Sequence, residues 1–259
     1  MKLYFAGADS KSYFNMINSI NKPALGSYFI LKKVKFDNYV GKNYKGDFFL
    51  DSGAFSAFTK NISIDIDKYI DYIKKYNSFL TLYTVLDVIG DWKETEKNQQ
   101  YMESKGLEPL PTFHYKSPLS ELKRLVDKYD YIALGGLVPI MGQRKILKNW
   151  LSACFSIIKL KSKIHGFGVN SFWCWKQFPF YSVDATSWLT PARYRRMTIF
   201  SKGATSVFRS LQKDRKKDSI VRLDLETKHY TELLKIQLDE YLKMEKFITR
   251  LWEVRGIIW

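Results

Sequence analysis

Cysteine is scarce: Cys154 and Cys174 are the two in 259 residues. That excludes a disulfide framework, and with three histidines there is no Cys/His cluster spaced as a structural zinc site. A reducing, cytoplasmic compartment is expected, with both cysteines in the core and no metal or other cofactor. No apolar run approaches the roughly 20 residues of a membrane-spanning helix, and no signal peptide opens the chain, so a membrane partner is not expected. Repeats and low-complexity tracts are missing, which argues against disorder. Acidic residues are outnumbered, 26 Asp and Glu against 42 Lys and Arg, for a formal charge of +16. Such an excess describes partners rather than fold, and nucleic acid is the leading polyanion.

What is present is a hydrophobic fraction of 46% and an aromatic fraction of 16%, enough for one large buried core in a single domain spanning residues 1–259. Short apolar or β-branched runs, Leu3–Ala8, Phe48–Asp51, Leu80–Asp87, Leu110–His114, Tyr131–Gly136, Ile164–Val169 and Tyr181–Asp184, read as strands. Between them Ile66–Tyr76, Asp91–Lys105, Leu119–Tyr129 and Lys145–Leu160 carry helical spacing. Repeated strand–helix alternation with about eight units predicts a (β/α)₈ barrel over residues 1–208. The competing open doubly wound sheet would call for a Gly-x-Gly-x-x-Gly turn after the first strand, and none is there. Met197–Phe200 or Thr205–Phe208 is the candidate eighth strand. Residues 209–259 are expected to form a basic helical appendage, with one amphipathic helix over Thr231–Val254.

In such a barrel, polar residues at the carboxyl ends of strands converge on one pocket. Asp51, Asp87, His114, Gly135, Gly136 and Asp184 all fall at such ends. One Asp after a strand is ordinarily a helix cap or turn residue, but three from separate strands point to a site.

Asp51-Ser52-Gly53-Ala54-Phe55 resembles the Asp-Ser-Gly-Gly-(Phe/Tyr) motif of tRNA-guanine transglycosylases, and Ala133-Leu134-Gly135-Gly136-Leu137 resembles their Gly-Gly-Leu motif. Leu86-Asp87, and His165-Gly166-Phe167-Gly168-Val169 followed by Val183-Asp184, agree in order and approximate spacing. The resemblance covers roughly residues 48–187. It implies that Asp184 is the nucleophile that bonds to the sugar, that Asp51 is the general acid/base, and that Asp87 accepts hydrogen bonds from the guanine edge. Phe55 would stack on the base and Gly135 and Gly136 would face its oxygen, with His114, Ser52, His165 and Phe167 completing the base-binding set. The chemistry is coherent, because a carboxylate beneath the sugar can stabilise and then capture an oxocarbenium-like transition state while a second carboxylic acid protonates the departing base. Phe167, Phe172, Trp173 and Trp175 are candidate walls that would keep water from the intermediate.

The pattern departs from classical members, which carry a zinc site of three cysteines and a histidine near the C-terminus. Val138-Pro139-Ile140-Met141 also replaces a stretch that ends in Glu in bacterial members. A short, zinc-free, basic chain is more similar to the phage-encoded transglycosylases that place 7-deazaguanines in DNA, and Phe5-Ala6-Gly7-Ala8 and Ser27-Tyr28-Phe29 look like that group too. The partners implied are DNA, with tRNA as the alternative, and a free neutral 7-deazaguanine such as preQ0. A base-hydrolysing glycosylase and a non-catalytic nucleic-acid-binding barrel are the competing classes. The target nucleotide would have to be flipped out, with Arg193, Arg195, Arg196, Arg209, Lys213, Arg215, Lys216 and Lys217 holding phosphates.

Overall fold

Side chains on a strand alternate between two faces, and here both faces are apolar, the signature of strands covered on both sides. The computed structural model describes residues 1–41, 44, 46–194, 196–208 and 229–259. Its main sheet is eight-stranded, all parallel and curled: β1 (Lys2–Ala6), β2 (Ala24–Ser27), β3 (Phe48–Asp51), β4 (Leu82–Tyr83), β5 (Thr112–His114), β6 (Tyr131–Gly135), β7 (Lys163–Gly166) and β8 (Ser182–Ala185). The order is β4-β3-β2-β1-β8-β7-β6-β5. Among the described residues no strand ladder joins β4 to β5, the two ends of that order, so the sheet is curled rather than closed, and one isolated parallel bridge, Thr84 to Leu110, lies between them. There Leu110 N–H donates to Tyr83 O at 2.8 Å and Val85 N–H donates to Leu110 O at 3.1 Å.

The outer face of the sheet, with Leu3, Phe5, Phe48, Leu50, Ile132, Leu134, Ile164 and Val183, belongs to the large core shared with the helices. The inner face carries a second, smaller cluster of Tyr4, Ala6, Leu25, Phe49, Leu110 and Ala133. Parity therefore puts Asp51, His114, Gly135, Phe167 and Asp184 on the inner side with that cluster. Helix starts follow from capping. Asp65 accepts from the N–H groups of Asp67 and Lys68 ahead of Ile66–Tyr76, and Asp91 accepts from those of Lys93 and Glu94 ahead of Trp92–Ser104.

Two expectations are corrected. The missing strand is β2, not Met197–Phe200 or Thr205–Phe208. Ala24–Ser27 has one large apolar side chain, Leu25, and so lacks the apolar run that marks a buried strand. The two candidate segments instead form a separate antiparallel hairpin, Met197–Ser201 with Ala204–Phe208. Nor is the C-terminal helix, Tyr230–Val254, an appendage: Leu234, Leu238, Tyr241, Met244, Ile248 and Trp252 lie within the main core. Glu245 Oε1 accepts from Leu3 N–H at 2.8 Å, which fastens the helix to β1. Gln237 receives Thr198 N–H at 2.8 Å and donates to Thr198 O at 2.9 Å, so its amide serves the hairpin edge as a paired strand would. Among the described residues, no helix is long and apolar enough to cross a membrane.

Because Leu234 is fully buried in this shared core, Leu234→Ala is expected to lower the unfolding free energy by about 2–5 kcal/mol. A peripheral helix would leave the global urea transition nearly unmoved, so equilibrium urea denaturation discriminates.

Candidate active site

The site starts with Asp51, the last residue of β3. Gly53, at φ +77°, turns the chain so that its N–H donates back to Asp51 Oδ2 at 3.0 Å. No other residue fits at 53, because a Cβ there would lie 2.3 Å from Ser27 Oγ and 2.5 Å from Phe29 Cβ. Burial pushes the Asp51 carboxyl up to about 7, the negative charges of Asp87 and Asp184 add to the rise, and the Gly53 N–H opposes it. Asp184 is thus near enough to Asp51 for its charge to be felt there.

Asp87 is clamped on both oxygens. Ser52 Oγ donates to Oδ1 at 2.8 Å, and His114 Nε2 donates to Oδ2 at 2.9 Å. Ser52 is itself fixed, its N–H donating to Thr84 Oγ1 at 2.9 Å and its Oγ accepting from Ala54 N–H at 3.1 Å. Gly135 makes room for the histidine, since a Cβ there would stand 3.0 Å from His114 Cδ2.

Asp184, on β8, is 7% exposed. Its Oδ1 accepts from Gly168 N–H at 2.7 Å and lies 3.5 Å from His165 Nε2, whereas Oδ2 accepts no hydrogen bond from the described residues. His165 sits beneath it, fully buried against the rings of Phe49, Phe167 and Tyr4. Burial lowers the pKa of His165 and keeps the ring neutral. Its Nδ1 is 2.6 Å from Ser182 Oγ, which is 2.6 Å from Tyr131 OH. Tyr131 holds its proton, burial having raised its pKa. Because the Asp184 carboxylate faces Nε2, the ring proton is favoured there, with Ser182 then donating to Nδ1 and accepting from Tyr131.

The structure therefore brings Asp51, Ser52, Asp87, His114, Gly135, His165, Phe167 and Asp184 to one inner face. Ser52 and His165, expected to touch a base, are fully buried, with Ser52 Oγ bonded to Asp87 and His165 Nε2 3.5 Å from Asp184. Phe55 stands 51% exposed at the start of the helix Ala54–Thr59. Gly136 backs onto Tyr115, with a Cβ position 3.2 Å from its N. Of the candidate walls, Phe172 packs on Phe200 and Phe247, and Trp175 donates from Nε1 to Val169 O while accepting from Trp252 Nε1. Both are core. Trp173 stacks under Arg144, 4.9 Å away. Arg193 and Arg196 are exposed, and the Arg193 charge reaches Asp9, whose carboxyl burial pushes up. Arg195, Arg209, Lys213, Arg215, Lys216 and Lys217 lie outside the described residues. Sequence reading missed Thr84, Tyr131, Ser182 and Asp9. Ser182 was findable by parity, two residues before Asp184 on the same face.

A carboxyl raised this way binds more protons folded than unfolded between about pH 4 and pH 7, so it lowers stability as pH rises through that window. Asp51→Asn removes the penalty while keeping an acceptor for Gly53. It is expected to be more stable than the parent by about 1–2 kcal/mol at pH 8 and no more stable below pH 4, as read by thermal denaturation across pH. Ser182→Ala leaves His165 and Tyr131 unpaired and is expected to cost about 1–3 kcal/mol. Imidazole ¹⁵N shifts should then reveal loss of the single Nε2–H form.

No family model matches the chain. A protein described as uncharacterized protein 306, from Sulfolobus islandicus rod-shaped virus 1, is 24% identical over 211 residues, covering 77% of this chain and 64% of that protein. The chain thus spans less than two thirds of the length of the curated relative it matches.

Proposed function

We propose that this chain is a nucleic-acid base-exchange enzyme that replaces guanine in DNA with a 7-deazaguanine through a covalent aspartyl-glycosyl intermediate. The observation that carries the reading is the contrast between two carboxyl groups on one inner face. Asp184 has one oxygen held and the other without a partner among the described residues, while Asp51 is poised near neutrality. The first is suited to attack and the second to proton transfer. The eight parallel strands, with the Thr84–Leu110 bridge as their seam, are read as a (β/α)₈ barrel with its site at the carboxyl ends.

Asp184 Oδ2 attacks the anomeric carbon of a flipped nucleotide, and the carbon–N9 bond breaks with its electron pair leaving on the base. Asp51 supplies the proton that neutralises that nitrogen. The incoming base then surrenders its N9 proton to Asp51 and attacks the same carbon, and the ester bond to Asp184 breaks. Asp87, held rigid by Ser52 and His114, accepts from the N–H edge of either base, and Phe55 offers an exposed ring for stacking. The lack of a zinc-ligand set favours DNA over tRNA, and the charge of +16 suits either polyanion.

The test supplies labelled guanine or preQ0 with single-stranded DNA, duplex DNA and bulk tRNA. Label is expected in DNA, and Asp184→Asn is expected to abolish both exchange, by at least about 10³-fold, and a covalent protein–DNA adduct, leaving salt-sensitive binding in place. Label confined to tRNA would move the substrate. Abasic sites formed without added base would make the protein a hydrolytic glycosylase, and an adduct that survives in Asp184→Asn would remove the nucleophile. The pH profile of exchange should bend near 7 and lose that bend in Asp51→Asn.

A further inference from the structure

Two segments leave the sheet beside Asp51: residues 28–35 after β2 and residues 52–64 after β3. Neither contains an Asp or Glu. Both expose large apolar side chains, Ile30 (43%), Val34 (40%), Phe55 (51%), Phe58 (62%) and Ile62 (48%), interleaved with the exposed lysines 32, 33, 35 and 60. The segments are joined at Phe29, whose ring lies under both Lys32 Nζ (4.7 Å) and Lys60 Nζ (5.4 Å). Phe29 also abuts Gly53, the residue whose N–H holds Asp51. A groove of about 470 Å³ runs between them, lined by Phe29, Ile30, Lys32, Lys33, Lys60 and Ile62.

A solvated lysine surface normally interleaves both signs of charge and hides its large apolar groups. This one exposes them, and the one acidic side chain in the adjoining pocket lined by Lys32, Lys33 and Lys35 is Asp71. Among the described residues, Lys32, Lys33, Lys35 and Lys60 make no ion pair with Asp or Glu, whereas Lys2, Lys68 and Lys97 do. Fixed cations beside exposed rings match the two recurring parts of a nucleic-acid strand, its phosphates and the π-faces of its unpaired bases.

We infer that this groove, flanking the carboxyl-end mouth on the β2–β3 side, is the track for the single-stranded nucleic acid next to the target nucleotide. The lysines engage phosphates, and Phe58 stacks on a neighbouring base. The inference rests on the base-exchange reading for its orientation toward Asp51, and it names a surface on the opposite side of β1 from Arg193 and Arg196, which follow β8. An anionic lipid surface would share the charge but has no reason to sit at this mouth.

The test is fluorescence anisotropy of the whole protein with a labelled 12-mer single-stranded oligonucleotide across a KCl series. The triple variant Lys32→Gln, Lys33→Gln, Lys60→Gln is expected to bind at least about tenfold more weakly at 0.1 M salt. Its salt dependence, log K against log[KCl], should be shallower by roughly 2, at about 0.7 per lost phosphate contact. Phe58→Ala is expected to lose about fivefold or more with an unchanged slope. Parental affinity and slope in the triple Gln variant overturn the inference, as does binding of the parent to phosphatidylserine vesicles in preference to the oligonucleotide. Because the readout needs no turnover, the outcomes separate. Lysine-dependent binding without base exchange retains the track and discards the reaction, and base exchange untouched by the triple Gln variant does the reverse.

Discussion

Three carboxyl groups gathered on one inner face repel one another, and the way each is stabilised organises the rest of the site. Asp87 is satisfied by two donors, Ser52 and His114. Asp184 has the Gly168 N–H and a neutral imidazole beside it. Among the described residues Asp51 accepts only the Gly53 N–H, and burial first, then the charges of Asp87 and Asp184, raise its carboxyl to about 7. A proton carrier thus arises from burial beside two like charges, with one backbone N–H opposing the rise.

Those donors are themselves held from below. Tyr131, Ser182 and His165 form a neutral polar line through an otherwise apolar interior of Tyr4, Phe49 and Ala133. In such surroundings an unpaired polar group is costly, so the line is constrained to one hydrogen-bonding arrangement. The C-terminal helix contributes from outside. Glu245 fastens it to β1 and Tyr241 OH lies 2.5 Å from Ser187 Oγ, three residues beyond Asp184. The strands that carry the site and the helix that seals the core are therefore one mechanical unit.

Much of this was legible in the sequence where the signal is local. Helix Ile66–Tyr76 was bounded correctly because an Asp cap precedes an amphipathic run. Phe48–Asp51 was read correctly because a short apolar run ends in Asp. β2 was missed because its neighbours, not its own residues, make it a strand: Ala24 to Ser27 pair with Phe48 to Asp51 on one side, and Phe5 and Ala6 pair with Ala24 and Leu25 on the other. The hairpin Met197–Phe208 looked like a sheet strand because β-propensity says nothing about which partner a strand will take.

The sequence by itself determined the alternation of strand and helix and the excess of positive charge, and it offered Asp51, Asp87, His114 and Asp184 as candidates, although Asp87 lies beyond the end of β4. These follow from periodicity and residue chemistry, which act over a few residues. Only the tertiary structure decided that Ser52 and His165 support carboxylates from buried positions, that Ser182 and Tyr131 belong to the same line, and that the last helix is core. Each of these depends on contacts between residues from 17 to more than 200 positions apart, and which of them form is settled by how the strands pair and curl.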